Sequence, residues 1–167
     1  MVTSLTAERR RTQFHHMSEY SYKQLDSRDV GLLKALLQVF GEAFEDPQTY
    51  QGAMPGDDYL RSLLGKPHFI ALAALDSDQV VGGLAAYVLE KFEQDRKEVY
   101  IYDLAVSKAH RRKGVATGLI ESLRRIAREL GAYVIFVQAD RGDTPAIRLY
   151  ESLGTREDVH HFDIEVG

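Results

Sequence analysis

Residues 103–117 join a predicted strand to a predicted helix and constrain the fold more than any other segment. They begin inside a run of β-branched and aromatic residues, 99–106, which is typical of a β-strand. Apolar residues then recur at spacings of three, four and seven from Leu119 to Leu130, the pattern of an amphipathic helix that begins near Thr117 and ends at Gly131. The segment is therefore predicted to be a strand-to-helix loop.

The pattern R-x-x-G-x-A, formed by Arg111, Gly114 and Ala116, predicts that this loop binds an anion. Two small residues let the backbone approach a ligand closely, and the first N–H groups of a helix have no partner within the helix. We expect backbone N–H groups of residues 112–117 to bind a pyrophosphate, assisted by basic side chains. The G-x-G-x-x-G and G-K-[ST] patterns of other phosphate-binding loops are absent.

These residues resemble the acetyl-CoA motif of the GNAT superfamily of N-acetyltransferases. A second stretch, D-T-P-A-I-R-L-Y-E-S-L-G at 143–154, resembles the superfamily's second motif, commonly N-x-x-A-x-x-L-Y-x-x-x-G. A narrower resemblance is to the type-I group of aminoglycoside 3-N-acetyltransferases. It extends from about Phe40 to Ile164 and is carried by three segments, Y-I-Y-D-L-A-V-S, A-Y-V-I-F-V-Q-A-D and H-F-D-I.

The first half of the chain shows hairpin patterns, and strands alternate with helices in the centre. Together these patterns predict a mixed sheet with helices on its faces, a fold of the α+β class with mixed α/β character. The resemblance implies a GNAT fold: a central, mixed, mostly antiparallel sheet with helices on both faces. In that fold the strands at 99–106 and 133–139 are parallel neighbours that splay apart. Weak alternation at 159–166 predicts a last strand. A single domain is expected over residues 20–167, preceded by a flexible tail over residues 1–19.

The resemblance implies that acetyl-CoA is the cosubstrate. It places twelve residues at the cofactor: Leu104, Ala105, Val106, Arg111, Arg112, Lys113, Gly114, Val115, Ala116, Thr117, Asp143 and Ala146. The backbone N–H of Val106 would polarise the acetyl carbonyl. Asp143 departs from the motif, where asparagine is common, and it adds a negative charge close to the expected position of the acceptor.

Asp103 is the candidate general base. An ammonium group cannot attack a thioester before it loses a proton, and a carboxylate, directly or through water, can accept that proton. Strict alternation would place Ile101, Asp103 and Ala105 on one face of the strand, with Tyr100, Tyr102, Leu104 and Val106 on the other. The alternative is a structural acid whose hydrogen bonds are satisfied.

Tyr150 is the candidate general acid. The matching tyrosine of the GNAT motif lies near the thioester sulfur and can protonate the leaving thiolate. A tyrosine on an amphipathic helix is, however, usually part of the core, so packing is the alternative.

Acidic residues outside the anion-binding loop suggest an acceptor that is a polycation. The predicted acceptor-binding residues are Asp57, Asp58, Glu93, Tyr102, Asp103, Asp140, Asp143 and Asp163. Each acid taken singly is more typical of an ordinary solvated surface.

The net charge of −4 argues against nucleic acid as a partner, although seven basic residues and only two acidic ones lie between Ala105 and Leu130. No apolar run approaches the roughly 20 residues that span a bilayer, so no membrane association and a cytoplasmic location are expected. The absence of cysteine excludes disulfides, thiolate metal sites and a cysteine nucleophile, and no metal is expected.

The resulting hypothesis is acetyl transfer from acetyl-CoA to the 3-amino group of the 2-deoxystreptamine ring of aminoglycosides, an antibiotic-resistance activity. One alternative is a GNAT enzyme that acts on another amine, such as a polyamine or a protein N-terminus. Another is a non-catalytic acyl-CoA-binding domain. The resemblance also implies a homodimer.

Overall fold

Five strands form one sheet in the order β1-β2-β3-β4-β5, in a computed structural model that describes residues 20–167. The strands are β1 Ser21–Gln24, β2 Phe69–Asp76, β3 Gln79–Glu90, β4 Lys97–Val106 and β5 Ala132–Val137. The first four pair antiparallel, and β4 pairs with β5 in parallel. This confirms the predicted mixed, mostly antiparallel sheet. The expected tail, residues 1–19, lies outside the described residues.

Five α-helices connect or follow the strands. They are α1 Val30–Ala43, α2 Pro47–Gln51, α3 Asp57–Leu64, α4 Val115–Glu129 and α5 Thr144–Leu153, with a 3-10 turn at Lys108–His110. Pro47 and Pro145 lie in the first turns of α2 and α5, where a missing N–H breaks no helical hydrogen bond. Within residues 20–167, no helix is both long enough and apolar enough to cross a membrane.

The helices cover both faces of the sheet, as the resemblance implies. On one face α1 and α3 bury Leu36, Phe40 and Leu60 against β2 and β3. On the other face α4 buries Leu119 and Leu123 against the central strands, and α5 packs beside it. Each helix presents one apolar stripe to the sheet, so the two cores stay separate.

Strands β4 and β5 part towards their carboxyl ends, as predicted. Their pairing runs from Lys97 opposite Ala132 to Ile101 opposite Val137, and β5 ends there. Strand β4 continues to Val106. The last part of β4 therefore has an open edge on the side that faces away from β3.

A bulge in β4 corrects the predicted alternation of side chains. Opposite β3, Ala85 pairs with Asp103 and Ala86 pairs with Ile101, so Tyr102 is an extra residue. Ile101 is therefore buried in the core beneath α4, and it does not share a face with Asp103. Tyr102 and Asp103 instead both face the α1 side, where their partners lie.

The strand predicted at residues 159–166 does not form. Residues 155–167 have no regular secondary structure and are exposed throughout. A strand is stable only when a neighbour satisfies its backbone hydrogen bonds, and this segment pairs with none of the strands that the structure describes within residues 20–167. The prediction of a last strand is therefore wrong for the single chain.

Candidate active site

The anion-binding loop (residues 107–117) presents consecutive unpaired N–H groups. Helix α4 begins at Val115, two residues before the predicted start, and its N-cap is Gly114 at φ 81°. Within the described part of the chain, no backbone N–H of residues 112–117 donates to a backbone carbonyl; the first such bond joins Gly118 N–H to the Gly114 carbonyl at 2.9 Å. The positive helix terminus and these free donors suit a phosphate group.

Contacts with the adjacent ends of β3 and β4 hold the anion-binding loop at the end of the sheet. The Ser107 N–H donates to the Val81 carbonyl at 2.8 Å, which continues the β3–β4 ladder by one residue. The Arg111 Nε donates to the Val106 carbonyl at 3.0 Å, which turns the loop back onto β4. The Arg111 side chain therefore shapes the loop, in addition to bringing positive charge.

The open edge of β4 offers two further N–H donors. In an antiparallel ladder, hydrogen-bonded pairs alternate along the strand. Because Ser107 is bonded to β3 and Gly82 lies opposite Val106, Ala105 also belongs to a bonded pair. The N–H groups of Leu104 and Val106 therefore point to the other edge, beyond the end of β5. Backbone donors in such a gap are suited to polarising a carbonyl group, which is the role that the resemblance implies for Val106.

Asp103 is half-buried and accepts a hydrogen bond from Tyr50, whose hydroxyl lies 3.1 Å from Oδ1. Burial raises the pKa of Asp103 above its usual value, and the Tyr50 hydrogen bond opposes that rise because it favours the carboxylate. The pKa of Tyr50 is raised by its own burial first and by the charge of Asp103 second. Asp103 is thus a carboxylate with increased affinity for a proton.

Aromatic rings surround Asp103 on the α1 face. Tyr50 packs against Phe44 with ring centroids 5.6 Å apart, and Tyr102 meets Tyr87 edge-on at 6.0 Å. Tyr102 remains 62% exposed. A carboxylate among aromatic faces is suited to a cationic amine, because both attract positive charge.

Tyr150 lies on α5 and packs against the core beneath α4. Burial, and secondly the charge of Asp143, raises the pKa of Tyr150 to about 12. Asp143 itself caps α5, since its Oδ1 accepts from the Ala146 N–H at 3.1 Å. Both Asp143 and Ala146 are thus engaged in starting the helix.

The other predicted acceptor acids are mostly paired. Asp57 contacts Lys34, Asp58 lies 2.7 Å from Arg61, Glu93 lies 3.3 Å from Lys91, and Asp163 lies 3.1 Å from His161. Glu93 precedes β4, which begins at Lys97. From Lys97 to Asp103 the strand advances six residue steps, about 20 Å, so the structure does not bring Glu93 to Asp103. Asp140 lies in the turn before α5, and its backbone carbonyl accepts a hydrogen bond from the Asp143 N–H. Of the predicted acceptor residues, the structure brings Tyr102 and Asp103 together.

Within residues 20–167, no three His, Asp or Glu side chains converge to form a possible metal site.

Comparison with known families agrees with this geometry. The model of the acetyltransferase (GNAT) family matches residues 33–155, well over half of the chain. The chain belongs to the GNAT family. The match includes β4, the anion-binding loop, α4 and α5, which carry the free N–H groups, Asp103 and Tyr150.

Two solved acetyltransferase structures are similar to this chain over most of their length. An aminoglycoside acetyltransferase, HMB0005, from an uncultured soil metagenomic sample is 56% identical, with a TM-score of 0.88 over 89% of this chain and 99% of that one. Another from an uncultured soil sample, meta-AAC0020 in complex with sisomicin, is 31% identical, with a TM-score of 0.82 over 89% and 97%.

Curated relatives match over a shorter span. N-acetyltransferase family 8 member 2 of Rattus norvegicus is 31% identical over 84 residues, which cover 50% of this chain and 37% of the relative. The probable N-acetyltransferase family 8 member 5 of Mus musculus is 28% identical over 81% of this chain and 59% of its own length. The chain therefore matches between about two fifths and three fifths of these proteins.

Tyr50 belongs to the candidate site by its contact with Asp103, and sequence reasoning missed it. It lies 53 positions from Asp103 along the chain, in a segment where prolines and glycines predict a loop. The α2 helix starts at Pro47 after Asp46, whose side chain accepts from the Thr49 N–H at 3.1 Å. That D-P-x-T cap could have predicted the helix, but nothing local links it to Asp103.

Proposed function

We propose that this protein transfers an acetyl group from acetyl-CoA to an amino group of an aminoglycoside. The observation that carries the proposal is the position of Asp103, hydrogen-bonded by Tyr50 and located three residues before the free N–H of Val106. A proton acceptor and a carbonyl-polarising donor on one strand are what amine acetylation needs. The 56% identity to an aminoglycoside acetyltransferase supports the choice of acceptor.

Acetyl-CoA fits the residues present. The N–H groups of residues 112–117 and the positive end of α4 would hold its pyrophosphate, because Gly114 lets the backbone turn at φ 81° without a side chain in the way. The open edge of β4 at Leu104 and Val106 would pair with the amide groups of the pantetheine arm, as a strand pairs with a neighbour.

Asp103 would take the proton of the incoming ammonium group, directly or through one water. The amine nitrogen then forms a bond to the thioester carbonyl carbon while the N–H of Val106 stabilises the developing oxyanion. The carbon–sulfur bond would then break, the positively charged nitrogen would release its second proton to leave a neutral amide, and CoA would leave as a thiolate that takes up one proton. The raised pKa of Asp103 favours its role, since a more basic carboxylate is a better proton acceptor near neutral pH.

Tyr150 would stabilise the leaving sulfur mainly by donating a hydrogen bond. Its pKa of about 12 keeps the hydroxyl protonated at neutral pH. Full transfer of that proton to a thiolate of ordinary pKa, about 8.5, is uphill by several kcal/mol. The shift therefore favours hydrogen-bond donation, with solvent completing the protonation.

The finer proposal is that the acetyl group goes to the 3-amino group of the 2-deoxystreptamine ring, which would make the protein a resistance enzyme of the cytoplasm. It rests on the Y-I-Y-D-L-A-V-S and H-F-D-I segments, which resemble the type-I 3-N-acetyltransferases. The exposed Tyr102 beside Asp103 gives the aminocyclitol an aromatic face to pack on.

An acceptor panel tests both levels of the proposal. Thiol release from acetyl-CoA would be measured with gentamicin, kanamycin, spermidine and a short peptide, and NMR would locate the acetyl group on the product. We expect release with the aminoglycosides and acetylation at N3. Acetylation at another nitrogen would refute the finer proposal alone. Activity on spermidine or peptide but on neither drug would refute the aminoglycoside assignment.

A further inference from the structure

The anion-binding loop crosses the end of the sheet from β4 towards β1. Its first residue, Ser107, is bonded to Val81 of β3. Further along the loop, His110 lies beside the end of β2, with 3.9 Å between His110 Nδ1 and Asp76 Oδ2. The first turn of α4 then packs on β1, which is the edge strand opposite to β5. The loop therefore runs along the ends of four strands before the helix begins.

Two tyrosines at β1 contact this segment on both sides of the free N–H groups. Tyr20 directly precedes β1, and its hydroxyl lies 3.0 Å from His110 Nδ1 while the two rings meet edge-on with centroids 5.8 Å apart. Tyr22 packs under the first turn of α4, where a Cβ at Gly118 would overlap its hydroxyl and ring. Both tyrosines face the α4 core, because alternate residues of an extended chain point to one side. The N–H groups of residues 112–117 thus lie between two contacts made by one short strand.

The backbone between these two contacts is held in an unfavourable conformation. Arg112 has a φ of 62° and Gly114 a φ of 81°, both in the left-handed region. Glycine adopts that region freely, whereas arginine does so at a cost in free energy. Such a conformation persists only where the surrounding contacts determine it. The contacts of Tyr20 and Tyr22, together with the Arg111 hydrogen bond to β4, supply that constraint.

We propose that Tyr20 and Tyr22 are positioning residues for acetyl-CoA, which act through the loop by fixing the spacing and direction of its N–H groups. The inference rests on the proposed function, in which residues 112–117 hold the pyrophosphate. Backbone donors bind an anion tightly only when they are already arranged for it, because otherwise part of the binding free energy is lost in ordering the loop. Loss of either tyrosine contact should therefore weaken the binding of acetyl-CoA and leave the chemistry at Asp103 unchanged.

The first test measures the Kd for acetyl-CoA by titration calorimetry without an acceptor. Tyr20→Ala removes both the ring contact and the hydroxyl contact with His110, so the Kd should rise by about tenfold. Tyr20→Phe keeps the ring contact, and its Kd should stay within about threefold of the parent value. Tyr133→Phe is the control for loss of a hydroxyl, since its partner Glu98 lies away from the loop. In turnover assays of the Tyr20 variants, kcat at saturating acetyl-CoA and the KM for an aminoglycoside should stay within about twofold.

The second test uses the close approach of Tyr22 to Gly118. In Gly118→Ala the added Cβ forces the ring or the first turn of α4 to move, so the Kd for acetyl-CoA should rise by at least about fivefold. Tyr22→Leu lacks the ring atoms nearest to that Cβ and loses the same contact. The effects of the two substitutions should therefore not multiply in the double variant. Gly31→Ala is the control, because residue 31 is also a helical glycine and has open space around it.

The possible results separate this inference from the proposed function. If the parent protein binds acetyl-CoA and the Tyr20→Ala and Gly118→Ala variants bind it equally well, the inference alone is refuted. It is also refuted if kcat falls as much as the affinity, or if the effects at residues 22 and 118 multiply. If the parent protein does not bind acetyl-CoA, the proposed function and the inference are overturned together. Circular dichroism checks folding, and the Tyr20 variants decide the matter if Gly118→Ala does not fold.

Discussion

The proposed cofactor side and the proposed acceptor side of the candidate site are built in different ways. On the proposed cofactor side the groups at β4 and the anion-binding loop form one continuous segment, residues 104–117, and they are backbone N–H groups. The acceptor side joins Asp103 to Tyr50 from α2, which lies 53 residues away. Its functional groups are side chains.

The difference shows which changes each side tolerates. Backbone donors depend on the path of the main chain, so only residues that set that path, such as Gly114 and Arg111, are critical. Side-chain groups depend on burial and on their neighbours, so removing one hydroxyl or carboxylate changes the chemistry without moving the chain. Variants on the two sides should therefore separate the KM for acetyl-CoA from turnover.

The largest effect is expected for Asp103→Asn, on the acceptor side. Loss of the base should lower kcat by about 10²- to 10⁴-fold and leave the KM for acetyl-CoA within about twofold. Burial raises the pKa of Asp103 because it destabilises the charged carboxylate in the folded protein, and this cost to folding stability is fully present above the raised pKa. The neutral amide of asparagine removes that cost. The melting temperature near neutral pH should therefore not fall. Unchanged kcat would remove Asp103 from the role of base.

Gly114→Ala should mainly affect the cofactor side. A Cβ at residue 114 meets no atom within 4 Å, so the only cost is the left-handed φ of 81°, about 1–2 kcal/mol for alanine. The KM for acetyl-CoA should rise by about tenfold at most, with kcat little changed. Gly142→Ala is the control, because residue 142 also has open space and no positive φ. Equal behaviour of the two variants would contradict the anion-binding loop assignment.

Tyr150→Phe tests the hydrogen bond proposed for the leaving sulfur, between the cofactor side and the acceptor side. Loss of the hydrogen bond to the leaving sulfur should lower kcat by about tenfold, with normal binding of acetyl-CoA. Tyr133→Phe is the control, since its hydroxyl contacts Glu98 away from the site. A decrease of less than about threefold would assign Tyr150 to packing alone.

Tyr50→Phe should shift the pH dependence more than it lowers the maximal rate. The Tyr50 hydrogen bond favours the carboxylate of Asp103, so its loss should raise the pKa of Asp103 further. Asp103 then becomes protonated at a higher pH, and the acidic limb of the pH profile of kcat/KM shifts to higher pH. If the acidic limb of the kcat/KM profile stays in place or shifts to lower pH, Tyr50 does not act through Asp103.

The smallest effect is expected for Asp58→Asn. Asp58 is fully exposed and pairs with Arg61 on its own helix, so its charge is already partly balanced. The KM for an aminoglycoside should change by less than about twofold. A tenfold rise would restore the idea of an acidic surface that extends from Asp103 to α3.

Much of the fold and half of the site were predictable from local pattern. The strand-loop-helix at 99–130, the free N–H groups after Arg111 and the capped helix at Asp143 follow from residues close in sequence. The bulge at Tyr102 was not predictable, because it depends on how β4 is registered against β3. It moved Tyr102 to the face of Asp103 and Ile101 away from it.

The sequence alone determined the strand-loop-helix at 99–130, the mixed sheet and the choice of Asp103 and Tyr150 as candidates, because each depends on neighbours within a few positions. Only the tertiary structure decided that Tyr50 reaches Asp103, that Glu93 lies far from it, and that residues 159–166 form no strand with their own β5. Contacts between distant segments depend on strand register and helix packing over the whole sheet, and no local pattern encodes them.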